Sequence, residues 1–270
     1  ITLLPGLSDL RGNARNTGAV TIFSTGPTIP TGRFSGKIFN WAEGRVVGRN
    51  GFVQAWPRGD TTTMYMAPVD SAGTYVLQNL PPGSYVIRGI SDDNNNRGLD
   101  RREAWDTVGV NLTDTAHVNL YAFIHDSLGT RMTTVAVRDS VTVDVGFDTP
   151  ISTAQPITPP EVRVVAPDSS VIGVLSVSPP PPDTTAAARA LGRPIPPRSV
   201  TLKLAQPLKP KTNYRVRIAR IPSLGGVSRP GDILLATPEK LPSAPAPKPP
   251  TPQPSAPPAS PPPPPAPVKR

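Results

Sequence analysis

Val141-Thr142-Val143-Asp144-Val145-Gly146-Phe147 alternates apolar and polar or small residues without a break. Successive side chains of an extended strand point to opposite faces, so this spacing predicts a strand that buries Val141, Val143, Val145 and Phe147. The same period of two recurs in Val200-Thr201-Leu202-Lys203-Leu204 and in Tyr214-Arg215-Val216-Arg217-Ile218. It also appears in Thr74-Tyr75-Val76-Leu77 and, between glycines and prolines, in Gly83-Ser84-Tyr85-Val86-Ile87-Arg88-Gly89-Ile90. Helical spacing appears only in Thr184 to Leu191, which is Ala-rich but short and flanked by prolines. It predicts one or two turns inside a long surface loop over residues 178–198. The expected fold class is therefore all-β.

Composition narrows the function classes. The 270 residues contain no cysteine, which excludes a disulfide scaffold, a zinc–thiolate site and a thiol nucleophile. No apolar run approaches the ~20 residues of a membrane-spanning helix. Proline makes up half of residues 241–270, so this stretch should be a disordered tail sampling extended polyproline II. The chain opens on Ile1, which suggests a fragment or a processed product. The formal charge of +9 is concentrated between Ala186 and Gly231, where ten Lys and Arg residues occur without an acid. A basic patch of this kind suits nucleic acid, anionic lipid or an acidic polymer. However, its arginines alternate with core residues, and Tyr214 is the only interleaved aromatic, so a solvated sheet face is the expectation.

Punctuation divides the chain. Leu10-Arg11-Gly12-Asn13-Ala14-Arg15 is echoed by Leu224-Gly225-Gly226-Val227-Ser228-Arg229, each a Gly-containing turn ahead of a last strand. Residues 1–29 then read as the last hairpin of a truncated unit, and residues 122–240 as a complete one. The unit between them, 30–121, carries Asp70-Ser71-Ala72-Gly73-Thr74-Tyr75, a hairpin turn that places Gly73 in the left-handed conformation. Leu80-Pro81-Pro82-Gly83-Ser84-Tyr85 follows, and its prolines force a turn before the next strand.

These motifs resemble the carboxypeptidase regulatory-like, or transthyretin-like, domain family, whose pattern is Asp-x-x-Gly-x-Tyr/Phe followed by Leu-Pro-x-Gly-x-Tyr. The resemblance implies a seven-stranded sandwich serving as stalk, spacer or binding module, with no catalytic residue to carry over. The flanking units are similar to bacterial Ig-like domains of S-layer type. That likeness rests on Asp9 to Asn13 with Phe23 to Pro27, on Asp139 to Pro150, and on Pro207-Leu208-Lys209-Pro210-Lys211-Thr212-Asn213-Tyr214. The last reads as a tyrosine corner, in which the hydroxyl bonds to upstream backbone. Tandem Ig-like and transthyretin-like β-sandwiches are thus expected.

The polar stretch with most chemical specificity is Asp92-Asp93-Asn94-Asn95-Asn96-Arg97-Gly98-Leu99-Asp100-Arg101-Arg102-Glu103. Asp92, Asn94, Asn96, Asp100 and Glu103 nearly reproduce the oxygen spacing of a calcium loop and are the candidate metal ligands. The glycine falls one place late, a strand precedes the loop, and three arginines offset the charge. A hydrogen-bonded Asx turn is therefore the favoured reading and calcium the alternative. His117 and His125 are the only histidines, and no nucleophile or metalloprotease motif occurs. Asp70, Asp106, Asp144 and Asp148 fall at strand ends or turns. Trp41, Trp56 and Trp105 all lie in the middle unit, as packing or as an aromatic platform for sugar.

Together these features lead us to expect a non-enzymatic structural or interaction module of a bacterial cell envelope, periplasmic-facing or extracellular. Its partners would be an envelope or cell-wall polysaccharide or other envelope proteins, not nucleic acid. Two alternatives are a carbohydrate- or calcium-dependent binding module and the accessory region of a larger exported enzyme.

Overall fold

The computed structural model describes residues 2–3, 7–15, 19–21, 23, 26–60 and 62–242. Most of the proline-rich stretch 241–270, expected to be disordered, therefore lies outside the described residues, as does part of the 1–29 hairpin. The described chain is nearly all β, with a single short α-helix at Ala186–Ala190.

The middle unit is organised by its first strand, Gly32–Asn40. The first half of this strand pairs antiparallel with Thr74–Leu80 and parallel with Thr115–His117. Its second half pairs with Arg45–Val46 and, in parallel, with Leu120–Ile124. From there the strand order continues through Ala104–Leu112, Gly83–Ser91, Gly51–Pro57 and Tyr65–Pro68. One strand thus serves both layers of a sandwich, and the crossing point is tight. A Cβ on Gly36 would sit 1.9 Å from the Val118 carbonyl oxygen, so only glycine fits. The Tyr75 hydroxyl donates to the same carbonyl at 2.7 Å. Phe34, Ile38, Val53, Tyr75, Leu80, Tyr85, Ile87 and Leu120 fill the space between the layers. The sheet has nine strands where the resemblance implies seven.

Beyond it, two four-stranded sheets face each other. One runs Met132–Asp139, Thr142–Phe147, Ser199–Leu204, Val174–Ser178, and the other Val171–Ile172, Val162–Val165, Asn213–Pro222, Ser228–Ala236. Val143, Val145 and Phe147 point inward with Leu202, Leu204, Val216 and Ile218, as period two requires. The strand begins at Thr142 rather than Val141, because the Val141 amide is held in a turn by Asp139 Oδ1 at 2.9 Å. On the outer face Arg215 and Arg217 both reach Asp232, at 3.3 and 2.9 Å, and Arg220 reaches Glu161 at 2.8 Å. The basic run therefore meets acids brought by neighbouring elements. Such exposed pairs contribute at most about 1 kcal/mol each, and their main effect is to divide the positive field.

One turn occurs four times among the described residues. In Asp9–Asn13, Asp70–Thr74, Ala166–Ser170 and Ser223–Val227 the first amide bonds the fifth carbonyl and the fourth amide bonds the first carbonyl. The fourth residue has positive φ in every case: Gly12 83°, Gly73 77°, Ser169 67° and Gly226 83°. This is the three-residue hairpin loop whose left-handed position favours glycine. The echo between the two ends of the chain is therefore a shared backbone conformation.

Tyr214 forms the expected corner: its hydroxyl accepts the Lys209 amide at 2.8 Å while the ring is buried. Tyr214→Phe keeps the packing and leaves that amide without its acceptor. We expect it to lower stability by about 1–3 kcal/mol, read from urea unfolding midpoints at unchanged slope.

Candidate functional site

The sheet of the middle unit carries large apolar side chains on both faces, the outer one interrupted by Gln54, Arg88 and Thr107. Strand register places Trp56 opposite Val86, and Arg88 opposite both Gln54 and Thr107. It also sets Ile90 opposite Phe52 and Trp105, and Trp105 opposite Phe123. Directly opposed residues share a face, so these side chains form the side turned away from the core. Ring contacts extend the band. His125 lies between Trp105 at 3.7 Å and Phe123 at 4.1 Å. Trp41 meets Phe123 and Tyr121 edge-on at 6.0 and 6.5 Å, and Tyr121 stacks on Phe39 at 5.5 Å. The Arg88 guanidinium lies 5.0 Å from Trp56 and 5.4 Å from Trp105, joining the last ring by cation–π contact. All three tryptophans thus belong to one band. In the sequence they are far apart, and only the register shows that they converge.

Part of this band is covered from the neighbouring sandwich. The stretch 178–198, expected to be a surface loop, forms a short helix capped by the Thr185 side chain and then turns back onto the middle unit. Tyr121 donates its hydroxyl to the Leu191 carbonyl at 2.6 Å, and Trp41 Nε1 donates to the Pro194 carbonyl at 2.7 Å. The Arg193 guanidinium sits 3.8 Å over the Trp41 ring, and Leu191 is buried. Ile195 packs so closely on Gly44 that a Cβ there would lie 2.4 Å from its Cδ1. This segment is a strap between the two sandwiches, and burial of its apolar side chains holds it there.

Beside the strap opens a cleft of about 760 Å³. Its walls come from Leu99 to Arg102 of the polar loop, from Trp105, from Phe123 to Leu128, and from Pro150, Arg198 and Ser223 to Gly225 of the next sandwich. His125 reaches it, whereas His117 lies on the strand Thr115–His117 in the other layer, so the two histidines are not brought together. Burial pushes the His125 pKa below its ordinary 6.5, opposed in part by the Asp106 carboxylate.

Of the acids at strand ends and turns, Asp70, Asp106 and Asp148 bond backbone amides, whereas Asp144 bonds side chains. Asp70 Oδ1 accepts from Ala72 and Thr74, and Asp106 Oδ2 accepts the Tyr121 amide. Asp148 Oδ1 accepts the Arg131 amide, and Asp144 takes Arg138 and Thr201 Oγ1. In the polar loop, Asp92 is fully buried and accepts the Asn96 and Arg97 amides, each at 3.0 Å. Glu103 takes the Asp93 and Asp100 amides at 3.2 and 3.0 Å. Asp100 Oδ2 accepts both the Asn94 and Asn96 side-chain amides. Asp92, Asn94, Asn96, Asp100 and Glu103 are therefore neighbours, but their oxygens are turned onto N–H donors. Among the described residues no three His, Cys, Asp or Glu side chains are grouped to hold a metal ion. Asn95 and Arg97 take positive φ of 58° and 62° within this hydrogen-bonded turn.

No family model matches the chain, and no curated protein matches it. Solved structures similar to it include the following three. The N-terminal part of the bacterial S-layer protein SbsC is 15% identical with TM-score 0.28, over 39% of this chain and 24% of that one. A DUF3823 family protein from Bacteroides uniformis is 11% identical with TM-score 0.26, over 77% and 100%. The full-length major pilin SpaD from Corynebacterium diphtheriae is 12% identical with TM-score 0.29, over 76% and 67%. The chain spans about a quarter of the S-layer segment, and at these scores the likenesses assign no function and no residue role.

Two outcomes test the local chemistry. Glu103→Ala removes the acceptor of two amides and should lower stability by about 1–3 kcal/mol, with or without millimolar calcium, as read by chemical denaturation. For His125, the folded protein holds the ring neutral while the unfolded chain protonates near the ordinary value of 6.5. Stability should thus be full above that pH and decline as pH falls from it toward the lower folded value. Thermal melts between pH 7.5 and 5.5 should show that His125→Gln removes this part of the decline.

Proposed function

We propose that this chain is a stiff, non-enzymatic spacing and interaction module of a bacterial cell envelope or of a secreted bacterial protein. The observation that carries the reading is the strap: Trp41 and Tyr121 of one sandwich each hold a backbone carbonyl of the other. Units that merely share a chain are joined by flexible linkers and move independently. Here the passage from Leu120–Ile124 to Met132–Asp139 is short and itself bonded, with the Leu128 amide on Asp126 Oδ1 at 2.7 Å. The carboxylates Asp70, Asp92, Asp106, Asp144, Asp148 and Glu103 are bonded to amides or side chains of the fold itself, which suits a scaffold better than a catalyst. No helix among the described residues is long and apolar enough to cross a membrane. The lack of cysteine is compatible with an exported bacterial chain whose sandwiches fold on packing alone. The middle unit is, in this proposal, a carboxypeptidase regulatory-like domain and its neighbour an Ig-like one.

Because the chain lacks cysteine, spin labels can be placed at will. Ser71→Cys with Gln206→Cys, both exposed, should give one narrow distance distribution in the parent protein. Adding Trp41→Ala and Arg193→Ala should broaden it. A broad distribution in the parent would refute the stiff-spacer reading.

A further inference from the structure

The cleft beside the strap has features that a spacer does not require. Three large apolar side chains on its wall face water, with Leu99 38%, Ile124 55% and Leu128 64% exposed. Convergent exposed apolar groups mark interaction sites more often than chance surface. Arg101, Arg102 and Arg198 line the same cleft, and none has a carboxylate partner among the described residues. The acids beside them are already engaged: Glu43 by Arg45, Asp100 by Asn94 and Asn96, and Asp126 by the Leu128 amide. Glu43 is neutralised by Arg45, while Asp100 and Asp126 keep their charge under neutral-amide hydrogen bonds. The three arginines therefore exceed the unpaired acids of the cleft by one, and its net charge is positive.

A second observation is independent of charge. Among the described residues, the buried side-chain polar atoms without a hydrogen-bond partner are His125 Nε2 and Ser223 Oγ, and both residues line this cleft. Ser223 is only 5% exposed. In two of the equivalent turns the first side chain caps its own loop, as Asp9 and Asp70 do. Ser223 holds that position without making the bond. Buried polar groups are almost always satisfied, so this pair calls for a ligand with polar atoms as well as an apolar one.

We propose that the cleft docks an acidic segment of a partner polypeptide, seating an apolar side chain on Leu99, Ile124 and Leu128 and its carboxylates on Arg101, Arg102 and Arg198. Ser223 Oγ and His125 Nε2 then bond the segment's backbone. A glycan is the weaker fit. Sugars stack on open ring faces, whereas both Trp105 and Phe123 have a face taken up by His125. The chain's own residues 243–270 carry Lys248, Lys269 and Arg270 and no acid, so like charge keeps them out. A second copy, at +9, is disfavoured in the same way.

The test uses the full chain and fluorescence anisotropy. The probe is a short fluorescein-labelled peptide with leucine and phenylalanine set among glutamates, alongside its glutamine counterpart and polygalacturonate. The acidic peptide should bind, more weakly in high salt, and the glutamine version should not. Arg101→Ala with Arg102→Ala should weaken binding about five- to tenfold, and Leu128→Asp should abolish it. All three positions are exposed, and unchanged melting temperatures should show the variants folded. Arg163→Ala, an exposed arginine outside the cleft, should leave binding unchanged. Absence of binding, equal loss with Arg163→Ala, or polygalacturonate binding that depends on Arg101 and Arg102 would each overturn the proposal. None of these results bears on the label distances that test stiffness.

Discussion

A β-sheet that carries large aromatic side chains on its second face has to cover them there as well, because exposed apolar area is unfavourable in water by roughly 25 cal/mol for each Å². In the middle unit one face is covered by the second layer of its own sandwich. The other carries Phe39, Trp41, Trp56, Trp105, Tyr121 and Phe123, and it has no second layer. Its cover is assembled from Arg88 lying on two indoles, from His125 between two rings, and from the strap of the next sandwich. The attachment of the two units follows from this need. It also explains where the cleft is, since the strap stops short of the band's far end and leaves Trp105, Phe123 and His125 at its wall.

The hairpin turn used four times offers a comparison within one chain. Where the first residue is Asp, as at Asp9 and Asp70, the carboxylate bonds the third and fifth amides and the turn is self-sufficient. Where it is Ser223, the backbone bonds persist and the side chain is left over. The same backbone thus stands with or without the side-chain cap, which frees one copy for another purpose.

Much of this was legible in the residues. Alternation located the strands around Val143, Leu202 and Val216, because period two depends only on neighbours. The Asp70–Gly73 turn and the Tyr214 corner were readable for the same reason. The echo between Gly12 and Gly226 holds although Asn13 is replaced by Val227, because glycine supplies the positive φ and the following residue does not. What could not be read was contact between distant positions. Trp41 and Pro194 are 153 residues apart, and nothing near either announces the other, so the strap looked like an ordinary proline-rich loop. The contacts of Arg88 and His125 depend on strand register, which their sequence neighbours do not reveal. The Asp92–Glu103 loop was ambiguous for a different reason. Oxygen-rich residues at that spacing can wrap a cation or cap amides, and only the direction of each carboxylate decides.

The way the chain enters and leaves the middle unit has a mechanical consequence. The entering strand, Gly32–Asn40, and the departing strand, Leu120–Ile124, lie side by side and run in the same direction, with Leu120 beside Ile38 and Ala122 beside Asn40. Tension applied through the two ends therefore slides these strands past one another along their length. Their hydrogen bonds, together with those of Thr115–His117 to the same strand, are strained simultaneously instead of opening one after another like a zip. Resistance to pulling is then set by the height of a single concerted barrier, a property quite separate from how stable the unit is at rest.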